Sequence, residues 1–195
     1  MNQAKTAKIL TAVVAFLAIL AAGAYIVYGN LMPEQTVSGS AAAGQDVLAG
    51  SLTRLSTAEN SRERLQAARW IGENSKTINA NVVQGLSHAL LSDPDPTVRA
   101  SVATTLGTLA ARGNRGTANV SRQEPLIMEA LSLAYDRESN ASVRRCLVES
   151  AGKFNEPAAG ALLSKALVDA DSSVREAAQE AKLARDRRLV AATSG

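Results

Sequence analysis

Residues 93–107 read Asp-Pro-Asp-Pro-Thr-Val-Arg-Ala-Ser-Val-Ala-Thr-Thr-Leu-Gly, and their grammar returns at 143–152 (Val-Arg-Arg-Cys-Leu-Val-Glu-Ser-Ala-Gly) and again at 174–183. With the Val of each Val-Arg pair as position zero, Val98 and Val143 are followed at plus four by Val102 and Leu147 and at plus nine by Gly107 and Gly152. An earlier frame keeps Glu63, Arg64, Ala67, Ile71 and Gly72; a later one keeps Val174, Arg175 and Ala178, with Leu183 at the glycine position. The registers at 63, 98, 143 and 174 lie 35, 45 and 31 residues apart, which are the periods of two-helix units. A helical pair that cannot bury its apolar face alone stacks on copies of itself, so its working surface is shared among repeats. The sequence therefore predicts a binding surface and not a catalytic pocket.

Composition supports an all-α chain. Apolar residues make up 46% but aromatic ones only 3%, so the core is built from Ala, Leu, Val and Ile, whereas strands favour aromatic and β-branched residues. The net charge is +3, but Lys5 and Lys8 precede the first apolar run and leave 19 Lys and Arg against 18 Asp and Glu beyond it. That near-neutral balance, with so few rings for base stacking, argues against nucleic acid as a partner. One cysteine, Cys146, excludes an intrachain disulfide and any multi-cysteine metal site.

Apolar spacing at three and four, as in Val82, Val83, Leu86, Ala89 and Leu90, predicts first helices near 44–56, 77–92, 123–135 and 157–169. Second helices are predicted near 61–73, 96–112, 141–154 and 172–189, so about four hairpins occupy 44–189 and leave a tail at 190–195. Asp95-Pro96 is a start signal, because Asp accepts orphan amide hydrogens and Pro supplies helical φ at the first position; Asn140 and Asp171 are placed to cap likewise. Gly107 and Gly152 read as close-packing positions or points near a helix end.

The preceding Asp, the Val-Arg pair, the small residues and the closing Leu-Gly resemble the HEAT repeat, in the short form also found in phycobilisome lyase-like proteins. The resemblance covers 44–189 and is weakest in the first unit. It implies a right-handed α-solenoid whose second helices line a concave, commonly protein-binding side. It also implies that Arg64, Arg99, Arg144 and Arg175 form a structural ladder to carboxylates or helix ends between neighbouring repeats.

Ile9 to Tyr28 are twenty consecutive uncharged residues, long enough as a helix to span about 30 Å of hydrocarbon. Lys5 and Lys8 on the preceding side put residues 1–8 in the cytoplasm and the repeats on the periplasmic or extracytoplasmic side. An uncleaved signal anchor over 9–28 is the reading adopted, since apolar character runs on through Tyr25, Ile26, Val27 and Tyr28. The alternative is a signal peptide cut at Ala22-Gly23-Ala24, which would yield a secreted binder. Residues 29–43, rich in Gly, Ser and Ala, are expected to be a flexible linker with a reach of about 20 Å.

Positions plus two, plus three and plus six of the register should face away from the packed layer. They give Gln66, Arg69, Ser101, Thr104, Arg145, Glu149, Glu176 and Glu180 as a candidate protein-binding surface that passes from neutral-to-basic to acidic. Trp70, at plus seven where later repeats carry Thr105, Ser150 and Ala181, either covers the open end of the stack or anchors a partner. The polar insertion 113–122 is a surface loop, open to a recognition role. His88 and Cys146 are predicted on helices of different repeats, so no nucleophile and base are paired, and no cofactor, metal or small-molecule substrate is expected. Some HEAT-like proteins are lyases or iron enzymes, but a single histidine cannot supply repeated His-Glu iron ligands. The expectation is a membrane-anchored scaffold or accessory subunit, without catalysis of its own, whose protein partner sits at or in the membrane.

Overall fold

In the computed structural model the described residues are 39–75, 78–113 and 123–193. The expected span Ile9–Tyr28, most of the expected linker, and residues 114–122 of the insertion lie outside them. Among the described residues there are eight α-helices and no strand: α1 (Gly39–Thr57), α2 (Ser61–Asn74), α3 (Ala80–Ser92), α4 (Pro96–Gly113), α5 (Glu124–Arg137), α6 (Ala141–Ala151), α7 (Pro157–Ala166) and α8 (Ser172–Thr193). The chain divides into Met1–Ala43 and Gly44–Gly195, and the second unit holds the helical hairpins. Several expected boundaries shift: α3 begins at Ala80, and α6 and α7 end at Ala151 and Ala166, each three residues inside the expected limit. The linker is helical from Gly39, and the tail continues α8 as far as Thr193. Among the described residues no helix is long and apolar enough to cross a membrane.

Each second helix begins at an Asx residue three positions before register zero. The side-chain oxygen of Asn60 accepts from the Arg62 amide at 2.8 Å, Asp95 from Thr97 at 2.8 Å, Asn140 from Ser142 at 2.9 Å and Asp171 from Ser173 at 2.8 Å. These bonds satisfy amides that a helix start leaves without a partner. Asn79 does the same for α3 through the Val82 amide at 3.0 Å.

The second helices α2, α4, α6 and α8 stack in order, and the first helices α3, α5 and α7 form a second layer packed beside them. Between the layers runs one apolar core, in which Ile71, Leu86, Leu106, Ile127, Leu131, Leu147 and Leu163 are fully buried. Each such side chain contributes roughly 1.5–3 kcal/mol of transfer free energy. Phe154, in the loop after α6, is sealed into the same core.

The seam between second helices explains the register. A Cβ on Gly72 would meet Thr105 Oγ1 at 3.1 Å, one on Gly107 would meet the Ser150 Cα at 2.9 Å, and one on Gly152 would meet the Ala181 Cβ at 2.6 Å. Position plus nine of each repeat therefore receives position plus seven of the next, and glycine is needed there for close backbone approach. The Thr105 hydroxyl donates across the seam to the Ala68 carbonyl at 2.9 Å.

The seam is also closed at its C-terminal end by arginines. Arg112 of α4 donates to the Glu73 carbonyl of α2 at 2.7 Å, and Arg188 of α8 donates to the Gly152 carbonyl at 2.7 Å. Arg185, 9% exposed, donates to the carbonyls of Phe154, Asn155 and Glu156 at 3.1 Å each. The basic stretch 182–188 is thus partly an internal strut, with cations set against the orphan carbonyls of a helix end and the loop after it.

Candidate functional site

Along one edge of the stack, where each first helix turns into its second, the register arginines make a repeated arrangement. Arg64 holds Asp93 in a fork, Nε to Oδ2 at 2.7 Å and Nη2 to Oδ1 at 2.9 Å. Arg99 holds Glu138 at 2.7 and 2.9 Å, and Arg144 holds Asp169 at 2.9 and 2.8 Å. In every case the third nitrogen, Nη1, donates to two carbonyls of the arginine's own turn: Ala58 and Glu59 for Arg64, Asp93 and Pro94 for Arg99, Glu138 and Ser139 for Arg144. Each carboxylate in turn accepts an amide two residues on, from Asp95, Asn140 or Asp171, each at 2.9 Å. One guanidinium thereby ties together two consecutive turns.

The electrostatics follow from the forks. The hydrogen bond from Arg144 is the largest influence on Asp169; with the Tyr135 hydroxyl, which donates at 2.5 Å, it outweighs burial and holds the carboxyl well below the usual range. Burial pushes the Tyr135 phenol up, and its bond to the Asp169 carboxylate adds to that. Burial alone would raise Glu138, but Arg99 and the Asn140 amide more than reverse it. Glu138 and Asp169 are thus held ionised inside the fold by their arginines.

Arg175 departs from the other three. Its Nη1 donates to the carbonyls of Asp169 and Ala170 at 2.7 and 2.9 Å, as the pattern requires, yet no carboxylate among the described residues lies on its Nε–Nη2 edge. The acceptor carboxylates at minus five were not singled out from the sequence. Asp93, Glu138 and Asp169 stand there in three registers, with Ala58 in the first, so the signal was present.

The second helices carry a groove of about 320 Å³ between α2 and α4, reaching α6 at Cys146. Three of the candidate surface residues, Arg69, Ser101 and Thr104, line it together with Leu65, Glu73, Ala100 and Thr108. The hydroxyls of Thr104 and Thr108 donate to the carbonyls four residues back, Ala100 at 3.0 Å and Thr104 at 2.9 Å, so they offer a ligand only acceptor capacity. The groove is lined by the apolar Leu65, Ala100 and Cys146, by four threonines and Ser101, and by the exposed Arg69 and Glu73, a mixture of apolar and polar groups such as protein interfaces use.

The other candidates do not enter this groove. Gln66 is exposed on α2, Arg145 and Glu149 pair with each other on α6 at 3.2 Å, and Glu176 and Glu180 are exposed on α8. Trp70 is half-buried against the core on α2. Burial raises the Cys146 thiol, with Glu149 adding to the effect, which keeps it in the unreactive protonated form. His88 lines a different cavity, beside Arg64 and Asp93, and contacts Ser92 at 3.2 Å. Cys146 and His88 are therefore not brought together. Among the described residues no group of three or more His, Cys, Asp or Glu is placed to hold a metal ion.

The family model of the HEAT repeat matches residues 82–112, which are most of α3 and α4. No curated protein matches the chain. The match falls on the hairpin that contributes Ser101 and Thr104 to the groove, and HEAT repeats generally mediate protein–protein interactions.

Proposed function

We propose that the chain is a protein-binding scaffold that takes its partner in the groove of the second helices and is tethered to a membrane through Ile9–Tyr28. The observation that carries the binding reading is the groove itself. It spans three consecutive repeats, offers apolar and hydroxyl side chains with charges of both signs, and its one thiol, Cys146, is held protonated. Its neighbours on the register extend the surface to the acidic Glu176 and Glu180, so a long partner would dock in one orientation. The tether reading rests on the twenty-residue apolar run and the two lysines before it. Confinement near the membrane would raise the effective concentration of a membrane-borne partner without adding contacts.

The test is cross-linking of the full-length chain in native membranes, followed by mild-detergent purification and mass spectrometry, beside the variant Thr104→Arg, which fills the groove. A stoichiometric membrane companion cross-linked to α2 and α4, lost in the variant and accompanied by an intact N-terminus, is the expected result. A companion retained by Thr104→Arg would place binding elsewhere. A soluble chain beginning at Tyr25 would sink the tether and leave a secreted binder.

A further inference from the structure

The ends of the array are built differently from its middle. A repeat in the interior needs four matching groups: a carboxylate at minus five and a small residue at plus seven towards the repeat before it, an arginine at plus one and a glycine at plus nine towards the repeat after it. At the first repeat the two backward-facing groups are gone, replaced by Ala58 and Trp70. At the last repeat the glycine is gone, replaced by Leu183, which is 53% exposed and blocks the close approach of another second helix. The arginine remains.

We infer that Arg175 is a preformed receptor for an acidic side chain of a partner protein, a docking point at the end of the stack separate from the groove. Its Nη1 is fixed by the Asp169 and Ala170 carbonyls, as Nη1 is fixed in the three closed rungs. The remaining edge, two parallel N–H groups, is thereby held in the orientation that grips a carboxylate at 2.7–2.9 Å in those rungs. A planar fork already locked in place has lost its rotamer freedom before the ligand arrives. Val168, in the same turn and 83% exposed, offers an apolar contact beside the charge.

A second copy stacking head to tail does not fit. It would bring Ala58 to the acceptor position and Trp70 against Leu183, which offers neither a charge nor room. Another repeat of the same kind is stopped by Leu183. The occupant is accordingly an aspartate or glutamate on a segment of a different protein that approaches the turn between α7 and α8 from the side. The inference builds on the protein-binding reading but uses another surface.

The experiment observes arginine Nε–H signals by NMR in the full-length chain labelled with ¹⁵N-arginine. The probe is the synthetic peptide Ser-Asp-Pro-Asp-Pro-Thr, which copies the chain's own acceptor turn at 92–97, beside the same peptide with both aspartates changed to asparagine and beside inorganic phosphate. At millimolar acidic peptide the Arg175 signal, assigned by its loss in Arg175→Lys, should move saturably towards the positions of Arg64, Arg99 and Arg144. The asparagine peptide and phosphate should leave it in place. No movement, or equal movement with the asparagine peptide, overturns the receptor; equal movement with phosphate overturns carboxylate selectivity and points to a general anion or headgroup site. Repeating the titration in Thr104→Arg separates the two readings, since the Arg175 response should persist there whether or not the groove binds anything.

Discussion

Gly107 and Gly50 are both helical glycines, and the structure gives them opposite roles. An added Cβ at Gly107 meets Ser150 backbone and side-chain atoms at 2.8–2.9 Å, while at Gly50 nothing lies within 4 Å. Gly107→Ala should lower stability by about 1–2 kcal/mol, because overpacking of about 1–3 kcal/mol outweighs the helix preference of alanine. Ser150→Gly in the same chain should recover part of the loss. Gly50→Ala should instead raise stability by about 0.5–1 kcal/mol, and urea unfolding midpoints of the four chains check the set. The need for a small residue at these points was legible in the Leu-Gly register, but the partner across the seam was not. Nothing in one sequence says that plus nine meets plus seven of the following repeat, since that pairing is fixed only when two helices settle at a particular crossing. Arg185 was hidden for a related reason: in a run of Lys and Arg it looks like every other solvated cation, and only the geometry of the Phe154–Glu156 turn takes it inside.

At the scale of the element, the turns between first and second helices carry the clearest pH signature. Asp169 has a folded value held below its ordinary one, so its contribution is complete above about pH 4 and is lost as pH falls towards the folded value. Asp169→Asn removes the charge while keeping the shape and should cost about 2 kcal/mol at pH 7. The gap between the two chains should close as pH is lowered through about 4 towards 2, which unfolding curves across that interval would record. The helices themselves were largely readable, since apolar spacing and Asx-plus-Pro starts are local signals. Their ends were less so. The stretch 39–43 looks like linker by composition, yet it is part of α1, and α6 stops at Ala151, three residues before the end that apolar spacing suggests. Propensity is a weak prior wherever a neighbouring helix decides.

In the molecule as a whole each hairpin touches only those beside it, so damage should stay local. Arg185→Ala removes three hydrogen bonds that tie α8 to the turn after α6. Native-state hydrogen exchange should then show protection lost in α7, α8 and the end of α6 and kept in α2 and α4; a uniform loss across all helices would mean that the stack unfolds as one unit. The all-α class followed from composition and the alternation of first and second helices among the described residues from the register, whereas the groove did not, because a cavity is a property of spacing between helices and not of any one of them. Leu183 also bears on how such a chain can grow over generations. The second and third hairpins carry all four matching groups, so an in-frame copy of either could be inserted between its neighbours and find its contacts ready. A copy of the fourth placed after itself could not, and one placed inside would break the array where it stood. An array of this design accepts a further repeat only among its second and third hairpins, because the first and fourth each lack matching groups on one side.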